Sequence, residues 1–388
     1  MDGKIIIDED KEYVAGTYAR FPVAFKEGKG CRLYDYDDKE YVDFGSGIAV
    51  DIFGVNDGEW KSAVIEQLNK VQHTSNLFYT EPQARLARLM CEKTGAKKVF
   101  FGNSGAEANE CAIKAARKYG ELKHGAARKE IITLKNSFHG RTLATLAATG
   151  QEEFHKYYGP FPAGFVYADP TLEGVESCIT EDTCAVMIEC IQGESGVNVL
   201  DKSFVQGLGK LCRERDILLI CDEVQTGNGR TGYMYAYQAY GISPDIVTTA
   251  KGLGGGLPIG ACMLFDKCKA VFGFGDHGST FGGNPVVCAG ACSVIGRIDE
   301  KLLSDVRKKG EYLMSELKKI DGVEEVTGMG LMIGIKTEKP AAEIAKKCIS
   351  KGLLVLTAHS KVRLLPPLII GKAEIDFAIK ILSEVISG

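Results

Sequence analysis

Apolar positions in this chain follow two rhythms. Near the amino end, CRLYDYDDKEYVDF alternates apolar and polar residues on either side of DDK, which predicts a hairpin from Cys31 to Phe44. From about Trp60 to Asp266, short apolar runs alternate with helical patterns, as parallel strands joined by crossover helices do. After Asn284 the pattern changes. A long helical stretch to about Ile320 precedes VEEVTGMGLMIGIKT, the helix AAEIAKKCISKG, two short strands around LLVLTA and KVRLLPPL, and a final helix to Ile386. These rhythms predict an α/β protein with a mostly parallel sheet flanked by helices, plus a smaller α+β domain. The expected division is 1–55 for an amino-terminal segment of the small domain, 56–290 for the large domain and 291–388 for the rest of the small one.

Within the large unit, five apolar strands each run straight into a polar cluster. KKVFF leads to GNSGAEANE, EIITL to KNSFHGRT, AVMIECI to QGESG, ILLIC to DEVQTG, and DIVTTA to KGLGGG. In an open parallel sheet, ligands bind outside the carboxyl ends of the strands. The five clusters are therefore expected to converge.

Composition narrows the class of protein. Over 388 residues, 45% are hydrophobic and 25% charged, the profile of an ordinary globular chain long enough for more than one core. A balance of 47 basic against 51 acidic side chains gives a net charge of -4 and no electrostatic footprint for nucleic acid. No apolar run reaches the length of a membrane span, and MDGKIIIDEDKEYV is acidic where a signal peptide is basic and then apolar, so a cytoplasmic protein is expected. The thirteen cysteines then read as reduced thiols. Cys288 and Cys292 lie four apart on an expected helix with only His277 nearby; they read as core residues, and no metal is expected.

Three clusters carry recognisable chemistry. Ser104, Gly105 and Ala106 open a helix whose first N–H groups can hold a phosphate, although Ser104 and Glu107 also fit a capping box that needs no ligand. Residues two apart on a strand share a face, so Asp222 and Val224 point one way and Glu223 the other. A carboxylate leaving a buried strand needs a partner: a protonated heterocycle with Val224 against its ring, or simply backbone N–H groups. Lys251, in TTAKGLGGGLPIG, would be an ordinary solvated loop residue on its own. Beside a phosphate site and a carboxylate, it has the parts for a Schiff base with a pyridoxal cofactor, with Phe138 stacked over the ring and the glycines allowing close approach.

CDEVQTGNGRTG, TTAKGLGGGLPIGA, SFHGRT, NSGAEANE and HGSTFGGNP together resemble the class III pyridoxal-phosphate aminotransferases of fold type I, over nearly the whole chain. The resemblance implies a large domain that binds pyridoxal 5'-phosphate. In it Lys251 bears the Schiff base, Asp222 holds the pyridine nitrogen, and Gln225 reaches the ring hydroxyl. Val224 and Phe138 sandwich the ring beside His139, and Ser104, Gly105 and Ala106 hold the phosphate. Thr280 would reach the phosphate of the other subunit, which implies a homodimer with shared active sites. Arg141 and Arg363 would bind substrate carboxylates, with Ser279 beside them and Glu194 neutralising Arg363 when the amine donor is bound. Without the motif match, either arginine would read as a surface residue.

Within the family the chain looks most like enzymes that act on N2-acetylornithine in arginine biosynthesis, with 2-oxoglutarate as acceptor. Relatives acting on free ornithine carry a tyrosine near the position of Gly47 or Ile48, where this chain has GSGIAVD. Ornithine, succinylornithine and GABA remain alternative donors, and an aminomutase or a non-catalytic pyridoxal-binding regulator are alternative classes. Three departures from the family pattern predict altered loops: GVNDGEW from Gly54 to Trp60 replaces a Gly-His-x-His-Pro turn, Cys190 replaces a proline, and His359 and Ser360 stand where a small residue and glycine are common. The tyrosines of GYMYAYQAY read as a helix packed on the core.

Overall fold

The computed structural model describes residues 2–125 and 128–388. A seven-stranded sheet runs in the order Lys98–Gly102, Gly260–Leu264, Ile246–Thr249, Leu218–Asp222, Thr183–Ile188, Glu130–Leu134, Phe165–Ala168. Every pairing is parallel except the two made by Gly260–Leu264. Chain length explains that reversal. Only residues 250–259 connect this strand to Ile246–Thr249, and a parallel crossover needs about a dozen residues or more.

The central strands are buried on both faces, as their unbroken apolar runs require. The helix Gly105–His124 lies on them through a stripe of small side chains, Ala108, Cys111, Ala112, Ala115 and Ala116. The stripe brings the helix close to the sheet and fixes its first turn over the strand ends.

The smaller unit combines two four-stranded sheets. Phe25–Lys29, Arg32–Asp35 and Glu40–Asp43 form an antiparallel meander, which Leu353–Leu354 extends by parallel pairing. Val323–Met329, Met332–Thr337, Lys361–Leu364 and Leu356–Ala358 form the other, packed by Glu300–Leu317, Ala341–Ser350 and Lys372–Ser387. The hairpin within 31–44 is present, with an additional strand ahead of it. Phe25–Lys29 is mostly exposed and polar, so it carries no alternating signal. The helical stretch from Asn284 to Ile320 is two helices, Pro285–Arg297 and Glu300–Leu317. Asp299 breaks it by accepting the N–H of Leu302 at 2.8 Å, so that it caps a new helix. The tyrosine-rich segment does hold a helix, Ala236–Tyr240, with Tyr235, Tyr237 and Tyr240 buried.

Between the two units the backbone makes an uncommon turn. Ser46, Gly47, Ile48 and Ala49 have φ of 47°, 60°, 65° and 63°, four left-handed residues in succession. Each non-glycine residue there costs roughly 1–2 kcal/mol. Neighbours on both sides hold the turn. Asp43 Oδ1 accepts the N–H groups of Gly45 and Ser46 at 2.8 and 2.9 Å, and Ala49 packs with Ile191, Val197, Met332 and Leu365.

Among the described residues no helix is long and apolar enough to cross a membrane, and no group of three or more His, Cys, Asp or Glu side chains is placed to hold a metal ion. All thirteen cysteines are free thiols.

Candidate active site

Four of the five strand-end clusters converge on one cavity. The cavity holds about 460 Å³; QGESG places no residue on it, and there the lining residue is Glu189, inside the strand run AVMIECI. Val50, from the far side of the left-handed turn, closes part of the wall.

Ser104 caps the helix Gly105–His124, its hydroxyl accepting the N–H of Glu107 at 3.1 Å. The reciprocal half of a capping box is displaced by one residue: the Glu107 carboxylate takes the N–H of Asn103. The Glu107 N–H is thus satisfied by Ser104, while Gly105 and Ala106, the first two residues of the helix, line the cavity together with Ser104. A Cβ on Gly105 would lie 2.6 Å from Val224 Cγ1, so only glycine lets this turn sit against the loop after Asp222.

At the cavity floor, Asp222 is 4% exposed and fully engaged. Oδ2 accepts from Asn109 Nδ2 and pairs with His139 Nδ1, both at 2.8 Å, and Oδ1 accepts the N–H of Val224 at 3.0 Å. Asn109 also donates to His139 O at 2.7 Å and accepts from Thr248 Oγ1 at 2.6 Å. Sequence reasoning passed over Asn109. The signal was a polar residue one turn on from Gly105, on the buried face of the helix. Glu223 points away, as its alternation predicts, and accepts the N–H groups of Ala236 and Tyr237 at 2.9 and 2.7 Å. Burial raises its carboxyl to about 7.

Lys251 lines the cavity; its carbonyl accepts the N–H of Gly254 at 3.2 Å, while its Nζ has no hydrogen-bond or ion-pair partner among the described residues. Burial lowers its pKa below the ordinary lysine value, and Arg363 adds to that push while Glu194, Asp222 and Glu189 oppose it. Its φ of 43° places it in the left-handed region, a strain of the kind found at functional sites. Of the glycines that follow, Gly256 has φ of 114° and lines the cavity, a conformation closed to other residues.

Arg363 stands on Lys361–Leu364 and is 3% exposed. Its Nη1 donates to Glu194 Oε1 at 2.8 Å, to Gln225 Oε1 at 3.0 Å and to Gly193 O at 3.2 Å. Gln225 Nε2 in turn donates to Glu194 Oε1 at 2.9 Å. Burial pushes the Glu194 carboxyl up, but Arg363 outweighs it and holds the pKa below the usual value. Arg141 differs: it is exposed, makes no ion pair among the described residues, and lies over the rings of Phe154 and Phe138 at 4.1 and 5.5 Å. Ser279 and Thr280 lie outside the cavity of their own chain. Ser279 Oγ accepts from Asn103 Nδ2 at 3.1 Å, and Thr280 lies on the neighbouring surface with residues 73–76.

The sequence profile of the class-III aminotransferases matches residues 13–386. The chain belongs to that family. This class-III aminotransferase is 50% identical over 382 residues to the acetylornithine aminotransferase of Haemophilus ducreyi, covering 97% of each chain. It is 45% identical to that of Methanocaldococcus jannaschii, covering 98% of this chain and 97% of the other. Among solved structures, the ornithine aminotransferase of Toxoplasma gondii superposes with a TM-score of 0.95 at 30% identity, covering 100% of this chain and 95% of the other. A second crystal structure of that enzyme is described with partial occupancy of PLP at its active site.

Pyridoxal 5'-phosphate is the cofactor of this class-III aminotransferase, and the residues present fit it. The helix N-terminus at Ser104–Ala106 suits a phosphate, Asp222 holds a carboxylate in fixed orientation, and Lys251 is the one lysine among the described residues that line the cavity.

Proposed function

We propose that this chain transfers the δ-amino group of N2-acetyl-L-ornithine to 2-oxoglutarate, giving N-acetyl-L-glutamate 5-semialdehyde and L-glutamate, a step of arginine biosynthesis. The relatives named above that carry the acetylornithine name support this donor, as does the lack of a tyrosine at Gly47 or Ile48. The observation that carries the reading is Glu194 seated on Arg363. Arg363 and Glu194 stand beside the cavity, joined to it through Gln225; with the carboxylate in place the pair is neutral and accepts a donor whose reacting end has no acid group. With Glu194 withdrawn, the guanidinium offers a two-pronged contact to a dicarboxylate.

When bound, pyridoxal phosphate supplies an electrophilic carbonyl and an electron sink. The protein does the rest. Ser104, Gly105 and Ala106 would hold the phosphate, Phe138 and Val224 would bracket the ring, and Gln225 would meet the ring hydroxyl. Asp222, aligned by His139 and Asn109, would keep a proton on the pyridine nitrogen. Lys251, its amine made available by burial, moves the proton at the δ-carbon of the donor. Arg141 and Arg363 orient the substrate carboxylates, with Ser279 contributed at the rim.

The decisive experiment is the visible spectrum of the holoenzyme on adding N-acetylornithine without a keto acid. The cofactor band should bleach and return with 2-oxoglutarate. Ornithine, succinylornithine or GABA bleaching it faster would replace the proposed donor, and recovery without an acceptor would indicate an aminomutase. Glu194→Gln should lower KM for 2-oxoglutarate about tenfold and reduce kcat/KM for N-acetylornithine similarly, since a charge-assisted bond is exchanged for a neutral one. Steady-state kinetics with each substrate varied would check this, and equal changes for both would count against the switch.

We also infer a homodimer. Leu77, Phe78, Tyr79 and Phe281 are 88%, 67%, 104% and 61% exposed, and Asn76 ties their two loops together by donating to Ser279 O and Gly282 O at 3.0 and 2.9 Å. Phe281 of this apolar group adjoins Thr280, and the group's burial against a second copy would carry Thr280 to that copy's phosphate. Phe78→Asp should shift the mass measured by sedimentation from twice 42.0 kDa to 42.0 kDa and remove activity with it. The domain division is proposed at 1–55, 56–290 and 291–388, and the free thiols suit a reducing compartment such as the cytoplasm.

A further inference from the structure

One carboxyl at the cavity has no part in the roles above. Glu189 follows Thr183–Ile188, whose Ile188 pairs with Cys221, so it leaves the sheet beside Asp222. It is 5% exposed and lines the cavity. Oε2 accepts the main-chain N–H of Phe138 at 2.8 Å, and Oε1 has no partner among the described residues. The rest of the Phe138 segment is anchored at the next residue: His139 N donates to Thr149 Oγ1 at 2.9 Å, and its ring meets Asp222. Glu189 holds the Phe138 main chain, while Arg141 and Phe154 pack on the Phe138 ring.

We propose that Glu189 is a positioning residue, fixing the Phe138 main chain and through it the ring that covers the cofactor. This rests on the reading that Phe138 lies against the cofactor. A carboxyl suits the task because it accepts the N–H at a place where water is excluded, and an orphaned N–H there is costly. Burial, with the Asp222 charge adding to it, pushes the Glu189 carboxyl well above the usual range.

The test uses equilibrium binding of pyridoxal phosphate to the apoprotein and the pH midpoint of the visible band in the holoenzyme. Glu189→Leu should weaken binding about tenfold, while Glu189→Gln, which keeps an acceptor, should stay within about threefold with an unmoved midpoint. Phe138→Ala should also weaken binding, and the Glu189→Leu, Phe138→Ala pair should lose no more than Phe138→Ala alone. Wild-type affinity in Glu189→Leu, or additive losses in the pair, would overturn the proposal. A midpoint moved by about one unit in Glu189→Gln would overturn it too, by showing that Glu189 acts as a charge. If Phe138→Ala binds normally, the placement of Phe138 fails first and takes the proposal with it. Melting curves of the apoproteins separate these outcomes from misfolding, and the Gln variant tests the idea even where the Leu variant is unstable.

Discussion

Lys251→Ala is expected to leave a folded protein without measurable transamination, a fall in kcat of about 10⁴-fold or more. Proton transfer by a placed side chain contributes roughly 10²–10⁴-fold, and the lysine is also the cavity's only nucleophilic amine without a partner. The variant should not lose stability. In the wild-type apoprotein the ammonium is desolvated and unpaired, a cost that alanine removes. The pKa of Lys251 in the folded chain lies below its unfolded value, so between the two the unfolded chain binds more protons and wild-type stability rises with pH. The advantage of the alanine apoprotein should therefore be greatest below the folded pKa and vanish toward the ordinary lysine pKa. Alanine keeps the strained φ, whereas Lys251→Gly relieves it and should melt higher still. Turnover near wild type in Lys251→Ala would remove the lysine from the mechanism.

Asp222→Asn should lower kcat/KM by roughly a thousandfold, in the range seen when a placed electrostatic group is lost. The arrangement around Asp222 explains why its isostere is a poor substitute. Both carboxylate oxygens receive donors, Asn109 and His139 on Oδ2 and the Val224 N–H on Oδ1. An amide can turn its oxygen to one side only, and its NH₂ then faces a donor on the other. The mismatch should cost about 1–3 kcal/mol of stability as well. Stopped-flow half-reaction rates and thermal melts of the variant would check the two effects separately. A full half-reaction rate would mean that the pyridine nitrogen does not depend on this carboxylate.

The site was legible because its parts sit where an apolar run stops. Lys251, Asp222, Ser104 and Phe138 each lie within a few residues of a buried strand end, and parallel strands bring those ends together. Glu189 escaped for the converse reason. It stands between Ile188 and Cys190 and so reads as part of the strand, although its side chain opens on the cavity. Arg230 was also invisible. It is wholly buried, and its Nη1 donates to the carbonyls of Leu331, at 3.1 Å, and Pro366, tying the loop after Asp222 to the segment after Arg363. Nothing local marks an arginine in GNGRTG as a tie between two distant chain segments. The reversed strand Gly260–Leu264 could have been foreseen from the short connection before it. The exposed strand Phe25–Lys29 could not, because its side chains bury too little surface to impose an alternation.

The left-handed turn at 46–49 gave least away, since Ile48 is β-branched and ill suited to a positive φ. Its side chain is 41% exposed, so in a single chain little packing offsets the backbone cost. A surface that covers Ile48 would supply that packing only to the assembled form. In the homodimer proposed above, association and backbone geometry would then share one equilibrium, and dilution would lower the melting temperature until the two copies were fully apart.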